Sequence, residues 1–231
     1  MHDLLDQFLA LFRDLPGFLD GFIASYGPWV YGLLFAIIFV ETGIVIMPFL
    51  PGDSLLFTVG ALAARGSMNP WLAFVLLTVA AILGDAVNYH IGKFIGPRVF
   101  SKDPGDRSPT LYERLLNRKH LARAHEFFER YGGKAVILGR FVPIVRTFVP
   151  FVAGAGAMTY SRFVLYNIAG AILWVGLCIG AGVVFGELPF VKKNFEAVII
   201  GIIVVSLIPV VVEFLRERSR LRSAAARTPQ P

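Results

Sequence analysis

The chain has 231 residues, of which 56% are hydrophobic and 16% charged, and a net charge of +6 at neutral pH. An average soluble domain carries roughly 25% charged residues, so the deficit points to lipid as the solvent and excludes an ordinary water-soluble domain. Nor does the positive charge mark a nucleic-acid partner: ten Lys and Arg lie between Lys93 and Lys134 and five Arg between Arg216 and Arg227, while the first 27 residues hold one Arg against Asp3, Asp6, Asp14 and Asp20. Basic clusters beside apolar segments stay in the cytoplasm and meet anionic headgroups, which places the N-terminus outside and the C-terminus inside.

Residues 1–27 read as a retained, acidic amphipathic segment on the membrane surface, with Leu4, Leu5, Phe8, Leu11, Phe12 and Leu15 at helical spacing and no basic start or small-residue cleavage site. From 29 to 65 an apolar stretch is interrupted by PFLPGDS, where Pro48 and Pro51 remove backbone donors and Gly52 permits a reversal. The flanking pieces, Trp29 to Met47 and Ser54 to Ala64, read as a re-entrant hairpin, because the second is too short to span. Pro70 suits the first position of a helix, and 70–94 is expected to cross the bilayer.

The cytoplasmic stretch 95–133 combines a Pro, Gly, Ser and Asp-rich loop with an amphipathic interfacial helix from Tyr112 to Tyr131. A second interrupted segment, 134–158, is broken by Pro143 and Pro150 and reads as a second hairpin entering from the cytoplasm. Two further crossings, 160–186 and 195–215, and a basic cytoplasmic tail, 216–231, complete an all-α membrane domain over 28–215. AFVLLTVAAI from Ala73 and RFVLYNIAGA from Arg162 share Phe, Val, Leu and Ala in register, and each follows a broken segment with a Gly-Ala pair, Gly60-Ala61 or Gly154-Ala155. Each half is then a hairpin plus a helix, and opposite entry sides make the repeat inverted.

Charges at membrane depth cost roughly 2.5–3.5 kcal/mol each on insertion scales and so mark the chemistry. Glu41 lies far from either end of its apolar segment, where a short carboxylate cannot reach water; it is read as a proton-coupling group, with a static helix-locking ion pair as the alternative. Asp53 either joins it or caps the second arm of the hairpin. Arg140 and Arg146 flank Pro143, and two guanidinium groups suit bidentate binding of a phosphate. Asp85, with Asn88 and Tyr89 a turn on in GDAVNYHIG, is an accessory candidate or simple interfacial polarity. His120 and His125 are wrongly spaced for one helical face, and HEFFER lacks the second His of a zinc protease motif, so no metal site is expected. Lone Cys178 implies no redox role, and Trp29, Trp71 and Tyr160 suit interface anchors.

FVETGIVIMPFLPGDSLLFTVGALA, GDAVNYHIG and GGKAVILGRFVPIVRTFVPFVAGAGAM resemble, in order and spacing, the signature blocks of the bacterial DedA family within the VTT (SNARE-associated Golgi protein) superfamily. The likeness runs from about Tyr26 to Glu213 and is nearest to the branch that gives the family its name. It implies an inner-membrane lipid transporter, or flippase, with two re-entrant hairpins, moving a substrate such as undecaprenyl phosphate or phosphatidylethanolamine and depending on the proton-motive force. The family's functional acids fall on Glu41 and Asp53 and its functional arginines on Arg140 and Arg146. Expected partners are the lipid, the membrane and protons as coupling ion, with no cofactor, no metal and no enzymatic step, and a homodimer as the assembly to test. A lipid phosphatase using Ser54, or a structural envelope protein, remains the alternative.

Overall fold

The computed structural model describes residues 15–44, 52–100, 126, 128–186, 188, 189, 191, 198 and 201, with the backbone alone at 15, 16, 18, 97–100, 143, 144 and 157. The expected segments at 1–14, 101–125, 195–215 and 216–231 lie wholly or almost wholly outside them, as do Pro48 and Pro51. The described residues form helices throughout: α1 Leu15–Tyr26, α2 Trp29–Gly43, α3 Gly52–Ala64, α4 Pro70–Phe100, α5 Lys134–Gly139, α6 Pro143–Val152, a π-helical turn Ala153–Ala157, and α7 Tyr160–Phe185.

Local chemistry sets the boundaries. Gly27, at φ 54°, turns the chain between α1 and α2 in a region most side chains avoid. Asn69 caps α4, its Oδ1 accepting the N–H groups of Trp71 and Leu72 at 3.0 and 3.1 Å, and Pro70 takes the first helical position as expected. In the second broken segment the interruption falls between α5 and α6, with Pro143 at the start of α6. Pro150, expected as a second break, lies inside α6 instead. α4 also continues to Phe100, past the expected end at residue 94.

Among the described residues two helices, Pro70–Gly96 and Tyr160–Phe185, are long and apolar enough to cross a membrane. Their outer faces carry Leu72, Val75, Val79, Leu83 and Val87 on α4 and Leu165, Ile168, Ile172 and Leu177 on α7, all exposed. Buried inside are Thr78, Asp85 and Asn88 of α4 and Asn167 of α7. Apolar stripes outward and polar groups inward are the reverse of a water-soluble fold and fit a bilayer as solvent.

The arms of each broken segment pack on the spanning helices more than on each other. α2 lies along α4 and α3 along α7; α5 lies along α7, and α6 with its π turn along α4. In each half, therefore, the first arm packs on the spanning helix that follows it and the second arm on that of the other half. Gly60 of α3 lies against Ile179 and Gly182 of α7, and Gly154 against Tyr89 and Lys93 of α4. In the register that matches Ala73 with Arg162, these are corresponding levels of the two helices. A side chain at Gly60 would strike backbone, so the glycine is what lets these helices approach.

Among the described residues the two larger apolar clusters lie around Leu34, Ile38, Leu56, Leu77 and Trp174 and around Tyr89, Phe151 and Phe163, and a small third joins Phe57, Ala61 and Val191. Along α4, Asp85 and Asn88 fall where one of the larger clusters gives way to the other, and along α7 Asn167 does the same.

Candidate functional site

Four of the charged residues sit at helix ends beside the two interruptions, and the helix dipole sorts them. Asp53 is in the first turn of α3 and Arg140 directly follows the last residue of α5, each at the end that favours its sign. Glu41, in the last turn of α2, and Arg146, in the first turn of α6, are each at the unfavourable end. These two pair with each other: Arg146 Nη2 donates to Glu41 Oε1 at 2.8 Å. The pair joins residues 105 positions apart, so it holds the first half of the chain to the second.

Arg146 also reaches Asp53, with Nη1 3.5 Å from Oδ1. Glu41 Oε1 further accepts the N–H of Gly52 at 3.2 Å, so its carboxylate takes the anion position at the N-terminus of α3. A Cβ at residue 52 would fall on that carboxyl group, which is why this position needs glycine.

Arg140 has different partners. Its Nη2 donates to Asp85 Oδ2 and to Asn167 Oδ1, both at 2.5 Å, and Asn167 Nδ2 donates to the carbonyl of Ile82 at 3.1 Å. Asp85, for which interfacial polarity was the alternative expectation, is buried and is the ion-pair partner of Arg140. Asn88 takes no charge; its Nδ2 donates to the carbonyls of Thr42, at 3.3 Å, and Thr147, at 2.9 Å. Each of those residues follows a member of the Glu41–Arg146 pair, so Asn88 of α4 clasps the end of α2 to α6. Tyr89 lies apart from the charges, its hydroxyl donating to the carbonyl of Met158 at 2.8 Å.

Three carboxyl groups thus face two guanidinium groups, and burial is uneven. The side chains of Arg140, Glu41 and Asp85 are at most 6% exposed, Arg146 10% and Asp53 33%. Asp53 and Arg146 are the members a ligand would meet first. Among the described residues Glu41 Oε2 and Arg140 Nε and Nη1 have no hydrogen-bond partner. Buried polar atoms are rarely left so without a water or ligand to serve them.

Comparison with known proteins decides the family. The VTT domain matches residues 50–184. The chain is 50% identical over 205 residues to Protein DedA of Escherichia coli (strain K12), covering 88% of this chain and 90% of that one. The chain belongs to the DedA family. It is also 42% identical over 176 residues to an uncharacterized membrane protein of Mycobacterium leprae (strain TN), covering 76% and 75% of the two chains. To inner membrane protein YqjA of Escherichia coli (strain K12) it is 37% identical over 164 residues, 71% of each. No solved structure matches the chain.

In this DedA-family chain the structure brings Glu41, Asp53 and Arg146 together and sets Arg140 with Asp85 beside them. Two members of the site were not singled out from the sequence, Asn167 and Trp174. Trp174 Nε1 donates to Asp53 Oδ1 at 2.7 Å, and its ring lies 4.2 Å from Arg146 Cζ and 5.9 Å from Arg140 Cζ. A signal for both exists in the sequence: within the run from Phe163 to Phe185 they lie in helical phase with Phe163, Gly170, Ala171 and Gly182, which face inward.

Proposed function

We propose that this chain is a lipid transporter of the bacterial inner membrane, a flippase moving a phosphate-bearing lipid such as undecaprenyl phosphate or phosphatidylethanolamine under the proton-motive force. The observation that carries the proposal is the buried cluster in which Arg146 is shared by Glu41 and Asp53 while Arg140 keeps donors unmatched among the described residues. Guanidinium groups grip phosphate through parallel N–H bonds. Here the carboxylate of Glu41 holds the donors such a phosphate would want, Arg146 Nη2 and the N–H of Gly52.

Phosphate and carboxylate therefore compete. A proton on Glu41 removes the competing charge, and Oε2, which lacks a partner among the described residues, can receive it without breaking an existing hydrogen bond. Lipid binding and protonation then favour one another, as symport requires. Asp53, already accepting from Trp174, is the second proton-coupling candidate, and Asp85, Asn88 and Tyr89 are supporting residues.

In this proposal the two broken segments are re-entrant hairpins entering from opposite faces, with the N-terminus outside and the C-terminus in the cytoplasm. The exchange of second arms between the halves supports it, as does the location of all four charges at helix ends, where discontinuous helices build transporter sites. A phosphatase would need a base on Ser54, and among the described residues its buried Oγ meets no partner, so binding and passage fit better than bond cleavage.

The test is purified protein in liposomes carrying fluorescent phosphate lipids, with and without an imposed pH gradient. Gradient-dependent movement of at least one such lipid is expected. Gradient-independent leakage equal to that of protein-free liposomes, for every lipid tried, would refute transport.

A further inference from the structure

Trp174 touches both signs of charge in the site. It lies halfway along α7 and is only 1% exposed, whereas the other two tryptophans, Trp29 and Trp71, are 77% and 76% exposed. Its indole N–H is committed to Asp53 Oδ1, and its π face is presented to Arg146 at 4.2 Å, well inside the roughly 6 Å at which a cation is attracted to a ring. Arg140 lies 5.9 Å from the same ring. The groups gathered around it are thus Asp53 of α3, Arg146 of α6 and Arg140 between α5 and α6, with Glu41 of α2 beyond Arg146, Asp85 of α4 beyond Arg140 and Cys178 one turn on in α7.

The consequence appears when the carboxyl groups change state. Protonated Glu41 no longer offers Arg146 a negative partner, and a buried guanidinium with weakened partners would swing toward any other acceptor. An indole face cannot be protonated near neutral pH and offers its negative quadrupole whatever the acids do. Meanwhile the N–H bond holds the Asp53 carboxyl against the same ring, so both neighbours of the phosphate position keep their places.

We infer that Trp174 is a positioning residue that retains Arg146 in the site while Glu41 is protonated, so that the guanidinium is free of its carboxylate yet still aimed at the incoming phosphate. The inference rests on the transport reading for its functional consequence. The contact itself does not, and the two are separable by experiment.

Trp29→Phe and Trp71→Phe together leave Trp174 as the sole tryptophan, in a background altered only at exposed positions. Its emission then reports on the site without any transport. Arg146→Gln should shift that emission, and the shift should persist when Glu41→Gln is already present, because the ring is proposed to hold Arg146 without the carboxylate. Loss of the shift in the Glu41→Gln background would overturn the inference.

For function, the same background is produced with tryptophan replaced by 5-fluoro- and then 5,6,7-trifluorotryptophan. Fluorine drains the ring face and weakens cation binding with little change of shape, so gradient-driven lipid uptake should fall stepwise, by roughly tenfold across the series. Trp174→Phe, which keeps a face and loses the N–H, should retain slowed uptake with an altered pH profile. Trp174→Leu should lose uptake although it folds. In a parent that moves lipid, a flat fluorination series, or Leu equal to Phe, also overturns the inference. If the parent moves no lipid while the emission shift persists as described, the transport reading falls and the clamp on Arg146 stands.

Discussion

Breaking the Arg140–Asp85 pair tests whether Arg140 is there for the fold or for the substrate. Both side chains are at most 6% exposed, and Nη2 lies 2.5 Å from Oδ2. Asp85→Ala leaves a buried guanidinium with Asn167 as its remaining side-chain hydrogen-bond acceptor, and an uncompensated buried charge costs about 3–5 kcal/mol. Arg140→Leu strands the carboxylate of Asp85 at similar cost. The double variant removes both charges and should recover most of the loss, since buried pairs replaced by apolar side chains are often neutral in stability. The expected coupling in a double-mutant cycle is therefore at least 2 kcal/mol, read from reversible unfolding in lipid nanodiscs. Transport should behave differently: the double variant, though stable, should remain inactive, because the donors at Nε and Nη1 are gone. Additive stability losses would refute the buried pair, and a stable, fully active double variant would refute a role for Arg140 in holding phosphate.

Glu41→Gln should bind lipid yet lose its response to a pH gradient in liposome uptake; uptake that still tracks the gradient would remove Glu41 from the proton path. Arg146→Lys keeps the charge but cannot serve Glu41 and Asp53 with separate nitrogens while lying on Trp174, and the loss of a charge-assisted hydrogen bond should weaken phosphate-lipid affinity about tenfold or more. Asn88→Leu, similar in size, removes the donor shared by the carbonyls of Thr42 and Thr147 and should cost about 1 kcal/mol per lost hydrogen bond in unfolding; no loss would mean the clasp carries no energy. Cysteines at Leu50 and Val145 should label slowly with impermeant reagents, and labelling at the rate of an aqueous loop would refute membrane-embedded hairpin tips.

How much of this was legible in the sequence depends on what each residue costs in lipid. Glu41, Asp53, Arg140 and Arg146 stand out because a formal charge in an apolar segment needs a reason, and the helix interruption before Pro143 is written in a residue that lacks a donor. Depth is harder to read. Asp85 lies within a helix of 31 residues, longer than a bilayer requires, so the sequence alone does not say which part is embedded, and the ambiguity between site and interface was physical. Asn167 and Trp174 are uncharged, cost far less to bury, and so do not announce themselves; only their phase with small inward-facing residues marks them. Pro150 shows the converse, since a proline that ends one helix is tolerated inside another when its neighbours satisfy the freed carbonyl.

In the proposed transport, the partition of partners bears on the order of binding. If all three carboxyl groups and both guanidinium groups were ionised, the cluster would carry one net negative charge, and a phosphate would add at least one more inside a medium that screens poorly. Such a state is costly, and protons are the smallest charges able to relieve it. The arginines differ in what they could surrender. Arg140 is tied to Asp85 and Asn167 through a single nitrogen and keeps two others unmatched among the described residues, so it can add a ligand without losing a partner. Arg146 is tied to Glu41 and Asp53 through separate nitrogens, so a phosphate gripped by both of these nitrogens meets a competing carboxylate at each. In the proposed transport a phosphate meets the more exposed Arg146 first, where Glu41 competes for Nη2 until it takes a proton, and then the unmatched donors of Arg140, so the order in which the two arginines engage is what would couple movement of the lipid to movement of the proton.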